Sequence, residues 1–229
     1  MIDLPAAPCS RLYLLDERQM AAEELVFYYA PRTRAGVVLW MLEELGAPHR
    51  MEILNVKAAE HKSPDYLAVN PMGKVPAIKH GGTVVTEAAA ICCYLADAFP
   101  EAGLAPEIGD PKRGTYLRWL FFSPSCIEPA MVEKAFQHPP APTSAVGYGD
   151  FDTVMKVAAS AIPEGGCLLG DKFSAADVVF GSTLRYGMMF GIIPHRPEFD
   201  AYVGRLSERP AFKRITARDE ELASAQEAA

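Results

Sequence analysis

A chain of 229 residues, half of them hydrophobic and 22% charged, is long enough to bury one large core or two modest ones. Its formal charge of -7 speaks against a nucleic-acid partner, whose phosphates would repel it. No apolar run reaches the roughly 18 residues that cross a bilayer, so no membrane partner is expected either.

The chain starts Met1-Ile2-Asp3, with an acid where a secretory signal carries positive charge, and its cluster Leu12-Tyr13-Leu14-Leu15 is too short for a signal core. Residues 1–23 are therefore expected to be an extension outside the fold. Residues 25–29 are apolar, β-prone and stopped by Pro31, which predicts a buried strand. From 33 to 45 the period becomes helical through Val38, Met41, Leu42 and Leu45, with Gly46 as C-cap. A second strand is predicted over 50–56 and a short helix over 64–68, capped by Ser63 with Pro64 in its first turn. The run from Asn70 to Lys79 is a loop entering a strand; Gly81-Gly82 marks a hairpin turn, and 83–86 returns. Residues 88–99 are helical and end at Pro100. The order β-α-β-α-β-β-α over residues 24–100 predicts an α/β domain, a mixed sheet with helices on its faces.

Residues 101–111 read as a linker, and beyond them the strand signal disappears. Helices are predicted over 112–122, 151–162, 174–190, 197–206 and 210–217, so 112–229 reads as an all-α domain. Pro124 and Pro129 should kink or interrupt the first of these as it continues. The Pro-, Gly- and Ser-rich stretch 139–149 reads as a surface loop. In Phe173-Ser174-Ala175-Ala176-Asp177-Val178 the serine and the acid three residues on form a capping box, with Phe173 and Val178 placed as a hydrophobic staple. The five cysteines, Cys9, Cys92, Cys93, Cys126 and Cys167, contain no C-x-x-C pair. That pattern predicts free thiols in a reducing compartment, with no disulfide framework and no metal site.

Three segments, in order, resemble the glutathione transferase family: Asn70-Pro71-x-Gly73-Lys74-Val75-Pro76, Thr86-Glu87-Ala88-Ala89-Ala90-Ile91, and Gly170-Asp171-x-Phe173-Ser174-x-Ala176-Asp177. The resemblance spans about residues 24–217. It implies a thioredoxin-like N-terminal domain, a helical C-terminal domain, a cytoplasmic homodimer with a part in detoxification, and glutathione as co-substrate with a small apolar electrophile. It further implies a cis bond before Pro76, which turns the backbone of Val75 outward to pair with the cysteinyl unit as an added strand would. The N-terminus of the helix opened by Glu87-Ala88 would take the γ-glutamyl carboxylate, Glu87 facing the ligand's ammonium. The family usually has a serine where this chain has Ala88, so one hydroxyl hydrogen bond, worth about 0.5–1.5 kcal/mol, is missing. Lys74 is a candidate partner for the glycyl carboxylate.

Catalysis requires glutathione's thiol as thiolate near neutral pH, and a hydroxyl donating to the sulfur favours the anion. The family places that hydroxyl at the end of the first strand or the start of the first helix. Thr33 matches the serine-using classes and ranks first as catalytic residue; Tyr28 matches the tyrosine-using classes and ranks second, with Tyr29 third. Strand alternation lets at most one of the tyrosines face the site. Arg32 and Arg34 add positive potential there, Arg34 as a candidate ligand contact. No cysteine lies between Glu24 and Gly36, against mixed-disulfide reductase chemistry. Phe121, Phe122, Met131, Met188 and Phe190 are candidates for an apolar second pocket. The same fold also accommodates a glutathione-dependent isomerase or dehalogenase, or a non-catalytic binding protein.

Overall fold

The computed structural model describes residues 23–139 and 141–228; the expected N-terminal extension, through residue 22, and Cys9 lie outside them. The N-terminal part folds as β1 (Leu25–Tyr29), α1 (Ala35–Leu45), β2 (Arg50–Ile53), α2 (Pro64–Val69), β3 (Ala77–His80), β4 (Thr83–Thr86) and α3 (Ala88–Ala98). The sheet order is β2-β1-β3-β4, with β1 parallel to β2 and antiparallel to β3, and β3 antiparallel to β4. This is the thioredoxin-like mixed sheet that the element order predicts. The β1–β3 register sets Tyr28 opposite Ala77, so the strand end and the segment after Pro76 lie side by side.

Helices make up the rest: α4 (Lys112–Phe122), α5 (Glu128–Ala135), α6 (Phe151–Ala161), α7 (Ala175–Met189), α8 (Pro197–Ser207) and α9 (Pro210–Ala228). The interruption expected from Pro124 and Pro129 takes the form of a π turn over Ser123–Ile127, after which Pro129 falls in the first turn of α5. The wider π turn accommodates Pro124, whose ring an α-helical continuation would drive into the preceding turn, and Pro129's missing N–H is not needed where it sits. The last helix runs eleven residues past its predicted end at 217. Its tail carries few apolar residues; buried Ala223 and acids paired with the N-terminal part hold it instead.

One core runs through both parts. Trp40 of α1 is 1% exposed, packs edge-on against Phe212 of α9, and sends its indole N–H to Glu44. Arg209 meets Glu44 with two hydrogen bonds of 2.6 and 2.7 Å and lies over the Phe173 ring, which itself touches Trp40. The capping box at Ser174 forms: Asp177 accepts from the Ser174 N–H at 2.9 Å and from its hydroxyl at 3.0 Å. The same carboxylate also takes the Leu168 N–H and the Tyr202 hydroxyl, both at 2.8 Å, so it ties α7 to α8 and to the loop before it. Among the described residues no helix is long and apolar enough to cross a membrane.

Candidate active site between the sheet and the helices

The residues of the Asn-Pro-x-Gly-Lys run have separate local duties. Asn70, 3% exposed, donates from Nδ2 to the Lys74 carbonyl at 2.8 Å and accepts the Met72 N–H at 3.1 Å. The Tyr66 hydroxyl reaches the same Lys74 carbonyl at 2.5 Å. Gly73 has φ +57, and a Cβ there would stand 2.7 Å from the Lys62 amine and 2.8 Å from the His61 carbonyl oxygen, so only glycine fits. The loop thus fixes the Lys74–Val75 peptide from behind. The Val75–Pro76 bond is cis, as the resemblance implies. Among the described residues neither the N–H nor the C=O of Val75 has a partner.

Beside this open backbone edge stands the N-terminus of α3. Glu87, the residue before the helix, has φ +67 and ψ 116 and makes no side-chain cap. A non-glycine residue in that region costs about 1–3 kcal/mol and is found where a site requires it. The first-turn N–H groups of Ala88, Ala89 and Ala90 have no helical partners, and all three residues line the cleft. The positive end of α3 therefore faces the cavity uncovered.

The cleft has a volume of about 390 Å³, ample for a small ligand. Its N-terminal wall carries Arg34, Lys74, Val75, Pro76, Glu87 and Ala88, six residues that the sequence marks as a binding set and that the fold brings together. Its other wall is helical: Phe121, Pro124, Met131 and Val179 supply apolar surface, and Glu128, Thr183 and Tyr186 supply polar groups. Arg34 forms an ion pair with Glu128 that joins the two walls. Of the expected second-pocket residues Phe121 and Met131 line the cleft. Phe122 packs against Trp119, Met188 is buried, and Phe190, 69% exposed, looks outward.

The expected hydroxyls fall elsewhere. Tyr28 does not line the cleft; it lies on the sheet face that packs Tyr66, with ring centroids 5.5 Å apart. Alternation turns Tyr29 to the opposite face, where it is fully buried and donates to Asp219 of α9. Thr33 stands just behind Arg34, and its hydroxyl donates to the Ala30 carbonyl at 2.6 Å while accepting the Ala35 N–H at 3.2 Å. The turn that holds it is gripped from α9. Asp219 also accepts the Arg32 N–H at 3.0 Å, and the Arg32 guanidinium pairs with Glu220 at 2.9 Å and Glu227 at 2.7 Å.

The hydroxyls that do line the cleft, Thr183 and Tyr186, were not among the sequence candidates. Their signal was present, because Val179, Thr183 and Tyr186 recur at helical spacing on one face of α7. Thr183 donates to the Val179 carbonyl at 3.0 Å, whereas the Tyr186 hydroxyl makes only a long contact of 3.3 Å to the Thr33 carbonyl. Burial is the main cause that raises the Tyr186 phenol above its ordinary pKa, so the group is neutral and a donor.

The family model for the glutathione S-transferase N-terminal domain matches residues 35–98. A probable glutathione S-transferase of Oryza sativa subsp. japonica is 30% identical over 176 residues, which cover 71% of this chain and 78% of that relative. Among solved structures, a glutathione transferase from Methylococcus capsulatus shares 28% identity at a TM-score of 0.72, over 86% of this chain and 98% of that one. One from Phanerochaete chrysosporium, in complex with oxidized glutathione, shares 25% identity at a TM-score of 0.70, over 88% and 98%. With an open strand edge at Val75, an uncovered helix end at Ala88 and an apolar wall opposite, the chain belongs to the glutathione S-transferase family of enzymes.

Proposed function

We propose that the cleft binds glutathione and joins it, through its sulfur, to a small apolar electrophile. The cysteinyl unit pairs with the unpartnered N–H and C=O of Val75 as an added strand. The γ-glutamyl carboxylate sits on the N–H groups of Ala88 to Ala90, and Glu87 faces the ammonium. Lys74 offers its charge to the glycyl carboxylate. The thiol then points across the cleft toward Phe121, Met131 and Val179, where the electrophile rests. The sulfur loses its proton to solvent, its lone pair forms the C–S bond, and the electrophile either expels its leaving group as an anion or, after addition, takes a proton back from solvent. A hydrogen bond to the thiolate favours the transition state over the neutral thiol and so raises the rate. The resemblance assigns that role to Thr33, which would have to turn its proton from the Ala30 carbonyl to the sulfur.

The observation that carries this reading is the strained Glu87 at an uncapped helix end, beside an unpaired peptide edge and opposite an apolar wall. Binding without turnover is the second reading, favoured by the Thr33 hydroxyl, which donates to the Ala30 carbonyl at 2.6 Å and does not line the cleft. The homodimer, the cytoplasmic location and the detoxification role accompany the first reading as the resemblance implies them. Calorimetric titration with glutathione, followed by turnover of a chlorinated nitroaromatic, tests the proposal. Heat of binding at micromolar to millimolar glutathione and steady release of chloride are expected. Absence of binding up to about 10 mM, a dissociation constant weaker than about -3 kcal/mol of affinity, overturns it.

A further inference from the structure

The hydroxyls around the first turn of α1 differ in how far their protons are already committed. Tyr29 gives its proton to Asp219, Thr33 gives its proton to Ala30 at 2.6 Å, and Thr183 gives its proton to Val179 at 3.0 Å. Tyr28 is on another face of the sheet. Tyr186 lines the cleft, and its hydroxyl lies over the start of α1, 3.3 Å from the Thr33 carbonyl. Glycine at residue 36 leaves it room: a Cβ there would stand 3.2 Å from the phenolic oxygen, a tight contact. At 3.3 Å the existing bond is weak, so little is lost when the proton turns to a better acceptor.

From this geometry we infer that Tyr186, on the helical wall, is the principal hydrogen-bond donor to the glutathione thiolate. The inference rests on the glutathione reading above and assigns to that site a catalytic residue outside the first strand and helix. A phenol is more acidic than an aliphatic alcohol, and its bond to an anion inside a partly dry cleft is charge-assisted. Such a bond is worth enough to lower the bound thiol's pKa by about one to two units. The charged groups around it are Arg34 just before α1, Arg185 on α7 itself and Asp219 on α9, with Glu128 on α5, Lys74 before β3 and Glu87 before α3 across the cleft. Arg34 and Arg185 favour a nearby anion and Asp219 opposes it.

The test is the ultraviolet absorbance of the thiolate of bound glutathione, followed from pH 5 to 10 in the wild type, Tyr186→Phe and Thr33→Val. Phenylalanine keeps the ring and removes only the hydroxyl. S-methylglutathione, which has no thiol, measures binding separately from ionisation. The expected result is a rise of about one to two units in the bound thiol's pKa in Tyr186→Phe. A ten- to hundredfold loss of kcat/KM at pH 6.5 should accompany it, with S-methylglutathione binding unchanged and a smaller rise in Thr33→Val. A titration that moves in Thr33→Val and not in Tyr186→Phe overturns the inference while leaving the glutathione reading intact. Equal loss of S-methylglutathione and glutathione binding in Tyr186→Phe also overturns it, since the residue is then structural. A wild type that binds no glutathione overturns the parent reading and the inference with it.

Discussion

Removing the carboxylate of Asp177 should unfold the helical part at distinctly lower denaturant, and the choice of replacement divides the effect. Asp177 and Tyr202 are 0% exposed and Ser174 is 2%, so the donors that meet this carboxylate have no water to fall back on. Asparagine keeps one oxygen for the Leu168 N–H and the Tyr202 hydroxyl, both at 2.8 Å in the parent. It turns an amide N–H toward the Ser174 N–H, while the Ser174 hydroxyl can rotate to accept. One buried donor is left over, a cost of about 1–3 kcal/mol. Alanine removes the acceptor of the Leu168 N–H, the Ser174 N–H, the Ser174 hydroxyl and the Tyr202 hydroxyl together. The full sum is not reached, because burial already raises the Asp177 carboxyl above its ordinary pKa and that desolvation is relieved in the variant. About 3–5 kcal/mol remains for Asp177→Ala, or a fall in Tm of roughly 6–20 °C for a chain of this size. Urea denaturation followed by circular dichroism gives both values. Since α7 also carries Val179, Thr183 and Tyr186 into the cleft, glutathione affinity should fall alongside stability. A loss below about 1 kcal/mol in Asp177→Ala, or equal losses in both variants, refutes the count of stranded donors.

Ala88→Ser should tighten glutathione binding by about two- to tenfold through one recovered hydrogen bond, as read by calorimetry; unchanged affinity would mean that the helix end does not hold the carboxylate. Burial, chiefly, with Asp177 nearby, pushes the Cys167 thiol up to about 11. At pH 7 about one molecule in ten thousand then carries that thiolate, so iodoacetamide should label it at least a hundredfold more slowly than the same cysteine in urea, with the rate climbing as pH rises toward 11. Labelling at the unfolded rate would show that the loop before α7 opens readily.

Element order and type were legible because each N-terminal element is short, strongly periodic and bounded by Pro or Gly, as Leu25–Tyr29 is by Pro31 and Ala88–Ala98 by Pro100. That Lys74 to Pro76 and Glu87 to Ala88 share one cleft was legible too, because each lies in a short segment whose backbone follows from local chemistry. The far end of α9 was not, since its buried stripe thins after Ile215 and ion pairs to Arg32 hold it, which no local window contains. That Thr33 and Tyr28 are absent from the cleft lining has a related reason. Alternation predicts that Tyr28 and Tyr29 diverge, but which face meets the cleft is decided by how α2 and α9 pack on the sheet. Tyr186 stood outside the search because it enters the cleft from 153 residues away in sequence.

The grip of α9 on the turn before α1 has a consequence for how the protein comes into being. The turn at Arg32, φ +55, is among the first pieces of the fold to be synthesised, and its partners Asp219, Glu220 and Glu227 are among the last. Contacts spanning 187 to 195 residues cannot form until α9 has left the ribosome. A nascent or prematurely stopped chain that ends before Pro210 has the sheet but nothing to receive the buried Tyr29 phenol or to seat the backbone of Arg32. The first turn of the cleft's N-terminal wall is therefore settled only after α9 has been made and has packed against it.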